Sequence, residues 1–232
     1  MPTLNSVKIQ ITNVLDFLAK QEIAVYCNYP MISGRRVSWG QYETGHLSSS
    51  KWATVDQYLD VIRSGQYSAI LYDGSLLQLS CDVEDGWITW HRLGYFPCPF
   101  RIEPGELILS HAFDEVIESH VNDPGSPVLL RSPIRIDFDT TSVWEGHPAA
   151  HLTLNSNDCR IGCVAPMDVF SFVDFIFRQF YPAVHARFHD WFIAGSLRRV
   201  GERTLGDGDS ELPHLCWAVN LPSVSMNAAD QP

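Results

Sequence analysis

Positive charge is scarce in this chain. Its 232 residues carry 27 Asp and Glu against 16 Lys and Arg, a formal net charge of -11. Non-specific attraction to a phosphate backbone relies on clustered positive charge, so a stand-alone nucleic-acid binder is disfavoured. Lysine occurs only as Lys8, Lys20 and Lys51. The remaining cations are arginines, the better bidentate ligands for phosphate, and a small basic pocket stays open as an expectation. No apolar run approaches the roughly 18 residues that would span a bilayer. Met1 to Lys20 has no basic stretch followed by a continuous apolar one, so neither secretion nor membrane insertion is expected and the location expected is cytoplasmic. Cys27, Cys81, Cys98, Cys159, Cys163 and Cys216 include no Cys-x-x-Cys pair, which removes zinc ribbons and redox motifs and predicts reduced, mostly buried thiols. Also missing are a Gly-x-Ser-x-Gly elbow, a glycine-rich phosphate loop with lysine, and a dinucleotide fingerprint. Common hydrolase, NTPase and Rossmann readings lose their usual support.

What the chain does have is ordinary globular content, 45% hydrophobic and 19% charged residues, enough to bury a core without staples. Val7, Ile11, Val14, Leu15 and Leu18 recur at helical spacing behind a cap at Asn5 or Ser6, predicting an opening helix that ends near Gln21. Val25 to Gly40 reads as irregular or short-strand structure. Thr54-Val-Asp-Gln57 fits a capping box ahead of a second helix that Gly65 stops. Three β-rich runs follow, at Tyr67 to Tyr72, Leu76 to Asp82 and Trp87 to Tyr95, separated by Asp73-Gly74 and Asp85-Gly86, the dipeptide that favours hairpins. Phe96-Pro-Cys-Pro99 ends this meander. Further on, the pattern predicts a short helix at 112–118, strands at Pro133 to Asp139, His151 to Asn155 and Cys159 to Val164, and a buried Phe-rich helix at Met167 to Phe180. A helix at Ala183 to Arg199, a loop at Gly206-Asp-Gly-Asp209, a strand at Leu215 to Leu221 and a frayed tail at 222–232 complete it. The expected architecture is one α+β domain over 1–232, with a minor boundary near 122–131. Its antiparallel sheet forms a two-part meander packed by amphipathic and Phe-rich helices on one face.

The chemistry-bearing pattern is an alternation. In Ile134-Arg-Ile-Asp-Phe-Asp139 a strand buries Ile134, Ile136 and Phe138 and turns Arg135, Asp137 and Asp139 the other way. His151-Leu-Thr-Leu-Asn155 repeats the device with His151, Thr153 and Asn155, and Arg160 follows between two apolar neighbours. If these strands pair, the polar residues share one surface. The plain reading is a solvated face, since antiparallel sheets commonly keep one side in water. The sharper reading takes Asp137 and Asp139 as carboxylate ligands for a divalent metal in phosphodiester chemistry, with His151 as base or third ligand. His147 and His151, like His185 and His189, have a spacing that zinc sites use, but each pair lacks the Glu that follows the first histidine in such enzymes. In Trp90-His91-Arg92-Leu93 a regular pleat must turn either His91 or Arg92 inward, where a polar group needs a partner. Asp73 reads as a turn residue.

The segments Tyr72-Asp-Gly-Ser-Leu-Leu-Gln78, His91-Arg-Leu-Gly-Tyr-Phe-Pro-Cys-Pro99, Ile134-Arg-Ile-Asp-Phe-Asp139, His147-Pro-Ala-Ala-His-Leu152 and Cys159-Arg-Ile161, in this order across about residues 55–182, resemble a bacterial family catalogued as domain of unknown function 2290. Gly162 stands where the resemblance leads one to expect proline. The resemblance brings no activity, cofactor or catalytic residue. It implies a bacterial cytoplasmic protein from mobile or defence-associated loci, working beside a protein partner encoded nearby. The leading expectation is therefore an accessory binding component that uses His91, Arg92, Arg135, Asn155 and Arg160 to hold a partner protein or a phosphate-bearing ligand, nucleotide or nucleic acid included. The alternatives are the metal-dependent nuclease or phosphodiesterase with Asp137, Asp139 and His151, and an antitoxin-like structural partner.

Overall fold

The computed structural model describes residues 1–40, 54–103, 105–106, 113–141, 143, 147–154, 159–196 and 203–216. Helix α1 (Leu4–Lys20) is capped by Thr3 and not by Asn5 or Ser6, and so starts two or three residues earlier than expected. Thr3 Oγ1 accepts from the Ser6 backbone N–H while Ser6 Oγ accepts from that of Thr3. Short strands β1 (Ala24–Cys27), β2 (Met31–Ser33) and β3 (Arg36–Ser38) lead to α2 (Val55–Arg63), whose Thr54/Gln57 capping box forms as expected. Strands β4 (Ala69–Leu71), β5 (Leu76–Glu84) and β6 (Trp87–Phe96) then make the meander. The β5–β6 turn places Asp85 at φ 50° and Gly86 at φ 82°, the left-handed pair that the Asp-Gly sequence favours. After α3 (Phe113–Asn122) come β7 (Ile134–Asp139), β8 (Ala150–Leu154) and β9 (Arg160–Cys163).

These strands form one sheet in the order β1-β4-β5-β6-β7-β8-β9, to which β10 (His214–Leu215) adds at the β9 edge. Every pairing is antiparallel except β9 with β10. Strand β3 pairs with the far half of β5, beyond the stretch that β4 occupies. The Phe-rich helix α4 (Val169–Phe180) is capped by Asp168, whose Oδ1 accepts from the backbone N–H of Phe170 and Ser171. The expected helix over 183–199 is two pieces, α5 (Pro182–Arg187) and α6 (His189–Ser196), broken at Phe188 where φ is -118°. The expected loop at Gly206 holds a single helical turn, α7 (Asp207–Ser210). Residues 197–199, the strand expected over 217–221 and the tail 222–232 lie outside the described residues.

One sheet face carries Leu77, Leu79, Leu93, Ile136, Phe138 and Leu152, packed against Val7, Ile11, Val14, Leu15 and Leu18 of α1 and Phe172, Val173, Ile176 and Phe177 of α4. This is the core that the helical and strand periodicities specify. A second cluster lies at one end of the opposite face, where Ile70, Leu76 and Phe96 meet Tyr58, Leu59 and Ile62 of α2 and Phe113 and Ile117 of α3. The rest of that opposite face is polar.

Gly94 sits where the polar face meets the second cluster. A Cβ there would lie 2.7 Å from Cε2 and 3.1 Å from Cζ of Phe96, a ring held by the cluster and 2% exposed. Gly94→Ala is expected to destabilise the chain by about 1–3 kcal/mol through forced repacking, read as a lower midpoint in urea unfolding.

Candidate functional site

The register defines the site. Arg92 pairs with Asp137, Asp137 with His151 and His151 with Gly162, while Gly94, Arg135, Thr153 and Arg160 form the neighbouring row. Partnered residues of antiparallel strands point to the same side, so Arg92, Arg135, Asp137, His151, Thr153 and Arg160 share one face, as the alternation leads one to expect. Asn155 lies outside the described residues.

The expectation of a solvated face is overturned. Arg135 and Asp137 are each 6% exposed, His151 4% and Thr153 5%. Buried charges must be paired, and Asp137 is the centre of the pairing. Arg92 Nε donates to Oδ1 at 2.9 Å, Arg135 Nε donates to Oδ2 at 3.1 Å with Nη2 at 3.0 Å, and Thr153 Oγ1 donates to Oδ2 at 3.5 Å. Burial by itself pushes the Asp137 carboxyl up, but Arg92 and Arg135 overcome it and hold the group well below the usual carboxylate range. Burial likewise lowers Arg135 and His151 from their ordinary values, with Asp137 opposing both shifts. His151 Nδ1 lies 3.0 Å from the Pro148 carbonyl oxygen, an acceptor only, so Nδ1 carries the proton. Nε2 then faces Asp137 Oδ2 at 3.8 Å, beyond hydrogen-bond range.

Asp139 also points to this side but acts locally, its Oδ1 accepting from the Thr141 backbone N–H at 2.8 Å and hydroxyl at 2.6 Å. Among the described residues no group of three or more His, Cys, Asp or Glu side chains is arranged to hold a metal ion. His147 meets His151 ring edge to ring face, with centroids 4.8 Å apart. Arg160 forms no hydrogen bond or ion pair among the described residues, and its buried Nε is left without an acceptor.

His91 does not join this face. The pleat turns it to the opposite side, where it pairs with Cys81 and Phe138, is fully buried and has no hydrogen-bond partner among the described residues on either ring nitrogen. Burial lowers its pKa to about 4, so the ring is neutral at pH 7. The inward residue of the His91-Arg92 pair is therefore accommodated by losing its charge. Cys81, Cys98 and Cys163 are buried as expected, with burial raising their thiols to about 12, 11 and 12. Cys159 and Cys216, in contrast, are exposed. Cys159 stands just before β9, outside its apolar alternation.

Polar residues absent from the expected face extend it toward β3. Asp82, buried on β5, accepts from Arg36 Nε at 2.6 Å and Nη2 at 2.9 Å. The Arg36 guanidinium lies 4.4 Å from the Trp90 ring centroid, and that of Arg92 5.7 Å from it. A further carboxylate, Asp174 on α4, holds His185 Nε2 at 2.8 Å and Arg178 at 2.9 Å. An acidic residue among the aromatic and aliphatic side chains of α4, with Arg178 four residues on, is the sequence signal for it. His185 is thus tied to Asp174, while its ring centroid lies 5.9 Å from that of His189.

Two pH windows follow. Asp137, depressed in the folded chain, contributes stability that is present above its unfolded value of about 4 and lost as the pH falls further. Asp137→Asn strands buried arginines, is expected to cost about 3 kcal/mol near neutrality, and should flatten the acid limb below pH about 4. His91, depressed from 6.5 to about 4, binds its proton first in the unfolded chain, so stability falls as pH drops through that interval. His91→Leu should remove this dependence while changing stability at neutral pH by no more than about 1 kcal/mol. Urea midpoints across the acid range measure both.

The family model described as an uncharacterized conserved protein, DUF2290, matches residues 20–217. This span exceeds the 55–182 over which the ordered motifs run, and takes in most of α1's sequel, the whole sheet and α4. No curated protein and no solved structure matches the chain. With its motifs brought together on one sheet and the match covering most of its length, the chain belongs to the DUF2290 family.

Proposed function

We propose that this chain is a binding domain, an accessory component whose polar sheet face takes a compact phosphate-bearing ligand. The observation that supports this reading most is the pairing of Arg92 and Arg135 on the carboxylate of Asp137 with Arg160 on the neighbouring row of the same face, its buried Nε given no acceptor among the described residues. Replacing a buried ion network with apolar side chains is often neutral or stabilising. A buried Arg-Asp-Arg arrangement is therefore poorly explained by stability alone. Asp137 fixes two planar guanidinium groups in place, and pre-positioned donors bind anions with less loss of side-chain freedom. Arg160, on the neighbouring row with Thr153, supplies a donor that a phosphate oxygen would satisfy.

An overall charge of -11 favours a single phosphate group or mononucleotide over a long polyanion. The ligand's charge meets the local arginines at contact distance, while charges more than a Debye length away are screened.

Arg160→Gln removes the charge without touching the Asp137 pairs. Calorimetric titration with inorganic phosphate, a mononucleotide and a short oligonucleotide is expected to show binding that weakens with salt and falls by about tenfold or more in Arg160→Gln. Absence of binding by the wild-type chain, or equal affinity in the variant, would overturn the proposal.

A further inference from the structure

A second polar centre lies at the other end of the meander, where two of the ordered motifs meet. The β4–β5 turn, Asp73-Gly-Ser75, comes against the end of β6, Tyr95-Phe-Pro-Cys98. Asp73 does more than shape the turn. Its Oδ1 accepts from the Ser75 backbone N–H at 3.0 Å, and its two oxygens lie 3.1 and 3.0 Å from the Tyr181 hydroxyl at the end of α4. Tyr181 Oη is in turn 3.1 Å from Tyr95 Oη, and Ser75 Oγ accepts from the Cys98 backbone N–H at 3.2 Å. Gly74, at φ 84°, is pressed so closely on Cys98 that a Cβ would lie 3.0 Å from its Sγ.

This network forms the wall of a cleft of about 310 Å³ lined by Asp73, Tyr95, Pro97, Arg131, Phe180 and Tyr181, a size at the lower end of small-molecule sites. Opposite charges line it without meeting. Among the described residues Asp73 has only the Tyr181 hydroxyl and the Ser75 N–H, and Arg131 only the Cys98 carbonyl oxygen, to which Nη1 donates at 3.2 Å. An ionised carboxylate has about four acceptor sites. One O–H proton and one N–H leave Asp73 with capacity to spare, and Arg131 keeps most of its five donors. The aromatic rings of Tyr95 and Phe180, which line the same cleft, stack with centroids 5.0 Å apart. A second cleft of about 310 Å³, sharing Pro97, Arg131 and Ser132, continues over Val55, Phe96 and Leu129.

The geometry points to a binding site for a small zwitterion of the α-amino acid class, its ammonium on Asp73, its carboxylate on Arg131 and its side chain over Tyr95, Phe180 and the adjoining apolar cleft. A ligand with one charge would leave the other pole without a counter-charge. The site is separate from the Asp137 face and does not depend on the reading of that face.

The test uses the full chain with L-phenylalanine and L-leucine as probes, phenethylamine and 3-phenylpropanoate as single-charge controls, and calorimetric titration supported by thermal unfolding. The amino acids are expected to bind and raise Tm with concentration, and the controls to bind at least about tenfold more weakly. Arg131→Gln alters an exposed side chain with one hydrogen bond to a carbonyl, so its fold should be unchanged. Its affinity for L-phenylalanine should fall about tenfold or more. Asp73→Asn should also lose binding, with circular dichroism checking its fold because it loosens the Tyr181 contact. No binding of either amino acid, controls binding as well as the zwitterions, or undiminished affinity in Arg131→Gln would overturn the assignment.

Discussion

A carboxylate buried in the middle of a sheet face must be either protonated or matched, and Asp137 is matched by Arg92 from one neighbouring strand and Arg135 from its own. Much of the polar face depends on that match. The β6–β7–β8 register places Arg92, Asp137 and His151 side by side. A slip of one residue would send Asp137 into the layer of Leu93, Ile136 and Leu152 and bring isoleucines out beside the arginines. The ion network and the apolar core thus select the same register from opposite sides of the sheet, and a pairing error would be penalised on both. Asp82 with Arg36 repeats the arrangement one strand further along, with Trp90 lying against the Arg36 and Arg92 guanidinium groups.

The alternation itself was legible. Isoleucines and leucines every second residue, and Asp-Gly at the β5–β6 turn, are local signals with a direct steric meaning, and they place Arg135, Asp137, His151, Thr153 and Arg160 together. Whether that face would be wet was not legible. At one end of that face the contacts are with groups distant in sequence: the Gln78 amide donates to the Gln66 carbonyl, Trp39 Nε1 donates to Gln66 Oε1 at 3.1 Å, and α2 and α3 pack over Ile70, Leu76 and Phe96. Nothing in a strand's own pattern reports what will be laid over it. The same limit applies to the histidines. His147 and His151 look like a ligand pair by spacing, yet His151 takes its orientation from the Pro148 carbonyl. His185 finds its partner in Asp174, across the break that Pro182 starts.

His91 shows a different kind of illegibility. An inward polar side chain is expected to have a partner because the desolvation of a charge or a lone hydrogen-bonding group is costly. Imidazole has a cheaper alternative, since it can shed its charge at neutral pH. Packed beside Phe138, with ring centroids 5.6 Å apart, it behaves as a neutral aromatic side chain. The rule that inward polar groups need partners is weakest for the one residue whose charge is optional there.

An acidic chain that concentrates arginines on a single face has electrostatics that differ with distance. At ranges beyond a Debye length, about 8 Å at physiological salt, its net negative charge is largely screened, and at closer range the nearest groups dominate. A long polyanion would bring further phosphates against a chain of net charge -11, where each would add less attraction than a basic protein offers. A compact anion would leave most of that net charge beyond a Debye length. The same composition that argues against a nucleic-acid groove is thus compatible with the small phosphate-bearing ligand proposed for the face of Arg92, Arg135 and Arg160.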